Sequence, residues 1–264
     1  MRIIQSALLA GFPHGFTTRD GGVSDPPYDS LNLGGLVGDD PARVAENWRR
    51  LERASGLAFA RVQQVHGARV VRAVLPGAPR EEADAVISAT EGVAACVSVA
   101  DCVPILLADP ATGAVAAVHA GWRGTLARAA GAAVAALARD GGAAAADLVA
   151  AVGPSIGPCC YVVSEDLLAR FERELGSAAV AAPERLKLDL WRANARVLVE
   201  AGVREDRIEI VGRCTSCERA LFFSHRRDAG KTGRQMAFIA PRAPTRRGAP
   251  SLTKSQTHLD FSES

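Results

Sequence analysis

The chain has 264 residues, of which 48% are hydrophobic and 23% charged, and its 31 basic and 29 acidic side chains leave a net charge of +2. At one domain per ~150 residues this is one large domain or two small ones, long enough to bury roughly 70–75% of its unfolded surface without covalent staples. The near-average composition excludes a disordered or collagen-like chain, and near-neutral charge with 5% aromatic residues gives no case for nucleic acid or an anionic membrane as partner.

In chain order, Met1–Ala10 reads as a first strand, since its apolar run is interrupted by Gln5 and Ser6 and is too short for a signal peptide. Asp84–Ser88, Val93–Val99 and Val103–Ala108 read as strands, the last ended by Asp109-Pro110. Asp101 and Asp109 break these apolar stretches far short of the ~20 residues of a membrane span. Ala114–His119 is a further strand, and Gly121-Trp-Arg-Gly124 then turns into a helix expected from about Thr125 to Arg139, with Leu126, Ala130, Ala133 and Leu137 on one face.

Leu148–Val152 is a strand that runs into the loop Gly153-Pro-Ser-Ile-Gly-Pro158. Glu165–Leu175 and Leu190–Ala201 read as helices, with Gly202 stopping the second. Ile208–Val211 and Leu221–Ser224 read as strands. The order is an α/β mixture without a clean βαβ repeat, which argues against a simple doubly wound sheet. Residues 1–240 are expected to form one catalytic domain. Residues 241–264, rich in Pro, Arg, Ser and Thr, are expected to be a flexible tail.

Six cysteines in a chain of this length do not make a disulfide scaffold, so a reduced, cytoplasmic protein is expected. Of the five histidines, His66 precedes a glycine in Gln63-Gln-Val-His-Gly67 and His119 ends an apolar strand. Cys102 follows Asp101 inside an apolar stretch, where an acid and a thiol must pair or face a pocket. Two His and one Cys with a fourth position left for water is a catalytic zinc set. The spacing is dispersed, however, and by itself favours a core cysteine with two hydrogen-bonded histidines. Cys214 and Cys217 have CxxC spacing, but Cys159-Cys160 is a poorly spaced partner pair, so all four are expected to be buried structural thiols.

Several longer motifs add to this reading. Gln64-Val-His-Gly67, Ala100-Asp-Cys-Val-Pro104 and His119-Ala-Gly-Trp-Arg-Gly124 stand in order with His14–Ser24, Ser30-Leu-Asn-Leu-Gly34, Gly153–Tyr161, Cys214-Thr-Ser-Cys217 and Phe222–Asp228. Together they resemble the YfiH family, also called the multicopper polyphenol oxidase or laccase-domain family, over roughly residues 12–240. One departure is His225, where the family usually carries Tyr. The resemblance implies a layered α/β/β/α sandwich and one zinc held by His66, Cys102 and His119. It also implies purine nucleoside chemistry: phosphorolysis of adenosine, inosine and methylthioadenosine, and hydrolytic deamination of adenosine. Bacterial members are also linked to peptidoglycan editing.

Five histidines cannot supply both a blue-copper centre and a trinuclear cluster, so multicopper oxidation is not expected. Copper could still enter the His66/Cys102/His119 site in place of zinc, because the Irving–Williams order favours it. Deamination would use water activated by zinc against C6 of adenine, with Asp101 as a candidate proton donor by adjacency or, equally, a structural residue. Phosphorolysis needs an anion site, for which Arg123 at the glycine-flanked turn and Arg19 are the candidates. Two alternatives stay open. One is a hydrolase editing peptidoglycan precursors, with Cys102 as nucleophile and His119 as base. The other is a non-enzymatic protein in which four protein ligands close a structural zinc site. The expected partners are small molecules, a purine nucleoside and phosphate; the oligomeric state is not legible.

Overall fold

Near-continuous apolar runs are what strands buried on both faces of a two-sheet sandwich under helices require, and the computed structural model, which describes residues 1–73 and 81–242, shows this arrangement. One sheet has the order β1 (Ile3–Ile4), β2 (His14–Thr17), β13 (Gln235–Ile239), β6 (Val93–Val99), β3 (Ala58–Ala60). The other has the order β12 (Ile208–Ile210), β9 (Val149–Val152), β7 (Val103–Ala108), β8 (Val115–Ala120), β5 (Ala85–Ser88), β4 (Val70–Arg72). A short ribbon of β10 (Val180–Ala182) and β11 (Lys187–Leu188) stands apart.

Three apolar clusters separate the layers. Val97 of β6, Leu106 of β7, Ala117 of β8 and Ile239 of β13 fill the space between the sheets. Residues of opposite parity on the second sheet, Val103, Ile105, Leu107 and Val118, pack against α3 (Ala129–Gly141), α4 (Glu165–Leu175) and α5 (Leu190–Glu200). Cys96, Met236 and Phe238, on the outer face of the first sheet, meet Trp48 and Leu51 of α1 (Pro41–Ser55). The layers are therefore α/β/β/α, as the family resemblance implied.

Glu165–Leu175 forms the expected helix and Val93–Val99 the expected strand. Other expectations need correction. The first strand is only Ile3–Ile4. The helix expected over 125–139 is two helices, α2 (Trp122–Leu126) and α3, because Arg128 adopts a left-handed conformation (φ 61°) between them. Neither glycine nor proline marks that break; the Arg128 side chain instead reaches Glu200 and donates to the Glu174 carbonyl at 3.0 Å. Leu221–Ser224 is not a strand. Its buried Phe223 N–H donates to Gln235 Oε1 (3.0 Å) and its carbonyl accepts from Gln235 Nε2 (3.1 Å), so a side-chain amide takes the place of a neighbouring strand. Helix α1 and strand β13 escaped the sequence reading.

Among the described residues, no helix is long and apolar enough to cross a membrane. The expected tail, 241–264, lies outside the described residues from position 243 onward.

Candidate metal centre

The alternation that builds the sandwich also places the site. Counting back from Leu106 and Val86 on the inter-sheet face, Cys102 and Asp84 fall on that same face just ahead of β7 and β5, while His119 falls on it near the end of β8. β8 is paired to both neighbours, with Ala85 opposite Val118 and Pro104 opposite His119. Three separate stretches of sequence thus converge at one end of the six-stranded sheet.

There, one ligand atom each from His66, Cys102 and His119 lies within 4.8 Å of the others. The imidazole rings of His66 and His119 meet edge to face, with centroids 4.9 Å apart. His119 is buried, Cys102 half-buried and His66 exposed, so the cluster opens to solvent on the His66 side.

Asp84, fully buried, organises this cluster. Its Oδ1 accepts from His119 Nδ1 at 2.7 Å and from the His66 N–H at 2.9 Å, and its Oδ2 accepts from the Gly67 N–H at 2.6 Å and the Val65 N–H at 3.2 Å. With Nδ1 held, His119 has Nε2 left for Cys102 or a metal. The amide bonds hold His66 in a left-handed conformation (φ 61°) that a non-glycine residue rarely adopts. Sequence reading had placed Asp84 on a strand and given it no role. The available signal was an acid heading the apolar run Ala85-Val-Ile87.

The electrostatics favour a charged donor set. Burial would raise the Cys102 thiol, but the charge and hydrogen bond of His119, joined by those of His66, pull it down to about 6. Burial would likewise depress His119, yet the Cys102 charge and the Asp84 hydrogen bond raise it to about 9. Burial also opposes ionisation of Asp84, but its bonds to His119 and the Gly67 amide hold it below the usual carboxylate range.

Asp101 adjoins the cluster but faces elsewhere. Its Oδ1 accepts from Thr215 Oγ1 and its Oδ2 from the Arg226 N–H, both at 2.6 Å, while its carbonyl accepts from the Ile156 N–H at 2.9 Å. Its backbone is left-handed (φ 87°), so it stands at a bend and not on a strand. Arg19 is engaged by Asp29, donates to the Arg219 carbonyl and stacks on Phe223. It lines a cavity of about 710 Å³ with Arg219 and Lys231 that includes none of His66, Cys102 and His119. Arg123 lies over the Trp122 ring, 4.3 Å from its centroid.

Three residues missed in the sequence lie within electrostatic reach of Cys102 or its neighbours. Burial, and then the Cys102 charge, push the Tyr161 phenol up to about 12. Arg226 stacks over the Tyr161 ring at 5.2 Å. Arg234 is lowered by burial but supported by the charges of Cys102 and Asp101. Tyr161 and Arg226 lie within the motifs Gly153–Tyr161 and Phe222–Asp228, which assign them no role of their own, and Arg234 stands in none of the motifs.

Among Cys159, Cys160, Cys214 and Cys217 the structure corrects the expectation of four buried thiols. Cys159 and Cys217 are exposed and Cys160 is half-buried, so only Cys214 is a buried thiol.

Residues 13–242 match the family model for the multi-copper polyphenol oxidoreductase laccase. The chain belongs to this family. A protein of Deinococcus radiodurans named purine nucleoside phosphorylase is 46% identical over 240 residues, covering 89% of this chain and 91% of that protein. Purine nucleoside phosphorylase YlmD of Geobacillus stearothermophilus is 41% identical over 258 residues, with coverage of 89% and 92%. The crystal structure of YlmD from the same organism superposes with a TM-score of 0.83 at 38% identity over 90% of this chain and 94% of that one. That of YfiH from Bacillus licheniformis gives 0.82 at 34% identity over 89% and 94%. These likenesses support an enzyme acting on a small molecule and confirm the layered fold.

Proposed function

We propose that the chain is a zinc-dependent purine nucleoside phosphorylase that also deaminates adenosine. The observation that carries this reading is the convergence of His66, Cys102 and His119, with Asp84 fixing the His119 tautomer. Two imidazoles and a thiol already drawn toward the thiolate suit zinc or copper, and three protein donors leave a position open to substrate. Gly121 keeps that space clear. A Cβ there would stand 2.8 Å from Cys102 Sγ and 3.5 Å from His66 Cδ2.

Bound zinc would supply Lewis acidity, polarising an oxygen of phosphate or water. The protein's own groups do the rest. The Arg123, Arg226 and Arg234 guanidiniums give the surroundings of Tyr161 and Cys102 a positive field that attracts phosphate. In phosphorolysis an oxygen of hydrogen phosphate forms a bond to C1′ as the C1′–N9 bond breaks, and the purine leaves with the proton that the phosphate gives up. In deamination a water oxygen adds at C6 and ammonia departs. Asp101, both of whose oxygens already accept hydrogen bonds, holds the bend that carries Cys102 and is assigned as a positioning residue. The names of the Deinococcus and Geobacillus relatives support the nucleoside as substrate class. The six unpaired cysteines fit a reduced cytoplasmic setting.

A second reading has its own support. Cys102, His119 and Asp84 also stand in the order nucleophile, base and orienting acid of a cysteine hydrolase, the arrangement suited to editing a peptidoglycan precursor. That reading leaves His66 without work, whereas metal binding uses all three donors.

The test is product analysis with adenosine and zinc-loaded protein, with and without phosphate. Adenine and ribose 1-phosphate should appear only with phosphate, and inosine in both. Turnover that survives complete metal removal and is blocked by iodoacetamide would replace this reading with the cysteine hydrolase. Gly121→Ala is expected to weaken zinc binding at this centre by at least ~10-fold in competition with a chromophoric chelator, with little change in circular dichroism.

A further inference from the structure

A second cluster lies outside this centre and shares no residue with it. The Sγ atoms of Cys159, Cys160, Cys214 and Cys217 all lie within 4.8 Å of one another. Cys217 Sγ is 3.3 Å from Cys160 Sγ and 3.5 Å from Cys159 Sγ. We propose that these four cysteines hold a structural zinc ion that ties together the two loops supporting the Cys102 bend.

The distances decide among the possible uses of four thiols. A tetrahedral ion with Zn–S bonds of about 2.3 Å sets its sulfur atoms about 3.8 Å apart, close to the spacing seen here. Disulfides need about 2.05 Å, and all six cysteines are free. An all-sulfur tetrahedral set is the donor chemistry of zinc. Adjacent cysteines point to opposite sides of an extended chain, which is why Cys159-Cys160 looked unsuitable in the sequence. The chain is not extended there. The Cys160 and Tyr161 N–H groups both donate back to the Gly157 carbonyl, at 2.9 and 3.0 Å, and this turn brings both thiols to one side.

An independent observation points the same way. The Gly157 N–H donates to Cys214 Sγ at 3.2 Å, an amide placed to stabilise a thiolate. Zinc binding here is redox-neutral: four thiols ligate as thiolates and their protons pass to solvent.

The loops joined in this way leave the ends of β9 and β12, which run parallel side by side. Between them Ser155 bridges to Cys214, and the Thr215 N–H donates to the Ser155 carbonyl at 3.0 Å. Ile156 on one loop and Thr215 on the other are two of the residues that hold Asp101. The proposed ion therefore braces the bend on which Cys102 stands, and the proposal does not depend on which reaction occurs there.

The test measures metal content of the reduced, zinc-reconstituted protein by native and elemental mass spectrometry. Cys102→Ala removes a ligand of the first centre and should retain one zinc per chain. Its cobalt form should show the strong visible bands and thiolate charge transfer of tetrahedral sulfur ligation. Adding the exposed Cys217→Ser to Cys102→Ala should weaken that remaining zinc by at least ~10-fold and abolish the cobalt bands, while Cys217→Ser alone keeps the zinc of the first centre. A Cys102→Ala protein that is folded and takes up no zinc or cobalt overturns the proposal. So does finding the four cysteines oxidised in pairs under the same reducing conditions.

Discussion

Cys102→Ala is expected to lower nucleoside turnover by at least roughly 10³-fold, because the site loses its single thiolate and with it the strongest donor in the set. The fall should appear in kcat/KM for adenosine with and without phosphate alike, since one centre serves both reactions. Cys102→Ser is the sharper comparison. It retains the shape, but a hydroxyl does not ionise near pH 7, so it should rescue stability without rescuing turnover. The wild-type thiol, drawn down to about 6 by His119 and His66, is a thiolate at neutral pH before any metal arrives. Metal uptake by the apoprotein should accordingly weaken as the pH falls below about 9, where His119 holds a proton the metal must displace, and more steeply below about 6, where the thiol regains its own. Equal turnover by wild type and Cys102→Ala would remove the cluster from the mechanism.

Asp84→Asn should be the next most damaging change. The carboxylate is fully buried and accepts from His119 Nδ1 and from the backbone amides of Val65, His66 and Gly67. An amide has one acceptor oxygen and brings two donors that face donors already in place. Metal affinity is expected to fall ~10–100-fold, the usual cost of losing a partner that orients a ligating histidine. Folding should lose about 1–3 kcal/mol for the buried donors left unpaired. Isothermal titration with zinc reads the first effect and urea denaturation the second. Unchanged zinc affinity in a folded Asp84→Asn protein would mean that His119 is oriented by the strand alone.

Much of the fold was legible because its strands are short apolar runs bounded by Asp, Gly and Pro: Val93–Val99 and Val103–Ala108 are the strands their composition announces. The layer order was legible only through the family motifs, since both sheets are buried on both faces and apolar periodicity cannot tell which sheet a strand joins. β13 illustrates this. It pairs between β2 and β6, both of which lie more than a hundred residues earlier in the chain. His66, Cys102 and His119 could be named from the motifs around them. Their spacing alone carried no such message, because it is strand pairing that brings residues 84, 102 and 119 to one end of the sheet. The role of Asp84 was not legible for the same reason, and the choice between Asp101 as proton donor and as structural residue stayed open because adjacency to Cys102 said nothing about its own bend. Cys159, Cys160, Cys214 and Cys217 were undervalued because the Gly157 turn, which places Cys159 and Cys160 on one side, has no signature in a Cys-Cys pair.

The most direct measurement uses inosine, which has no amino group to lose and so isolates phosphorolysis. Zinc-loaded wild type and Cys102→Ala are each incubated with inosine and phosphate, and ribose 1-phosphate and hypoxanthine are quantified by mass spectrometry. Equimolar formation of the two by wild type, absent from Cys102→Ala and dependent on phosphate, is the predicted result. No ribose 1-phosphate from a fully metal-loaded wild type, or equal amounts from both proteins, would contradict the assignment of purine nucleoside phosphorolysis to this centre.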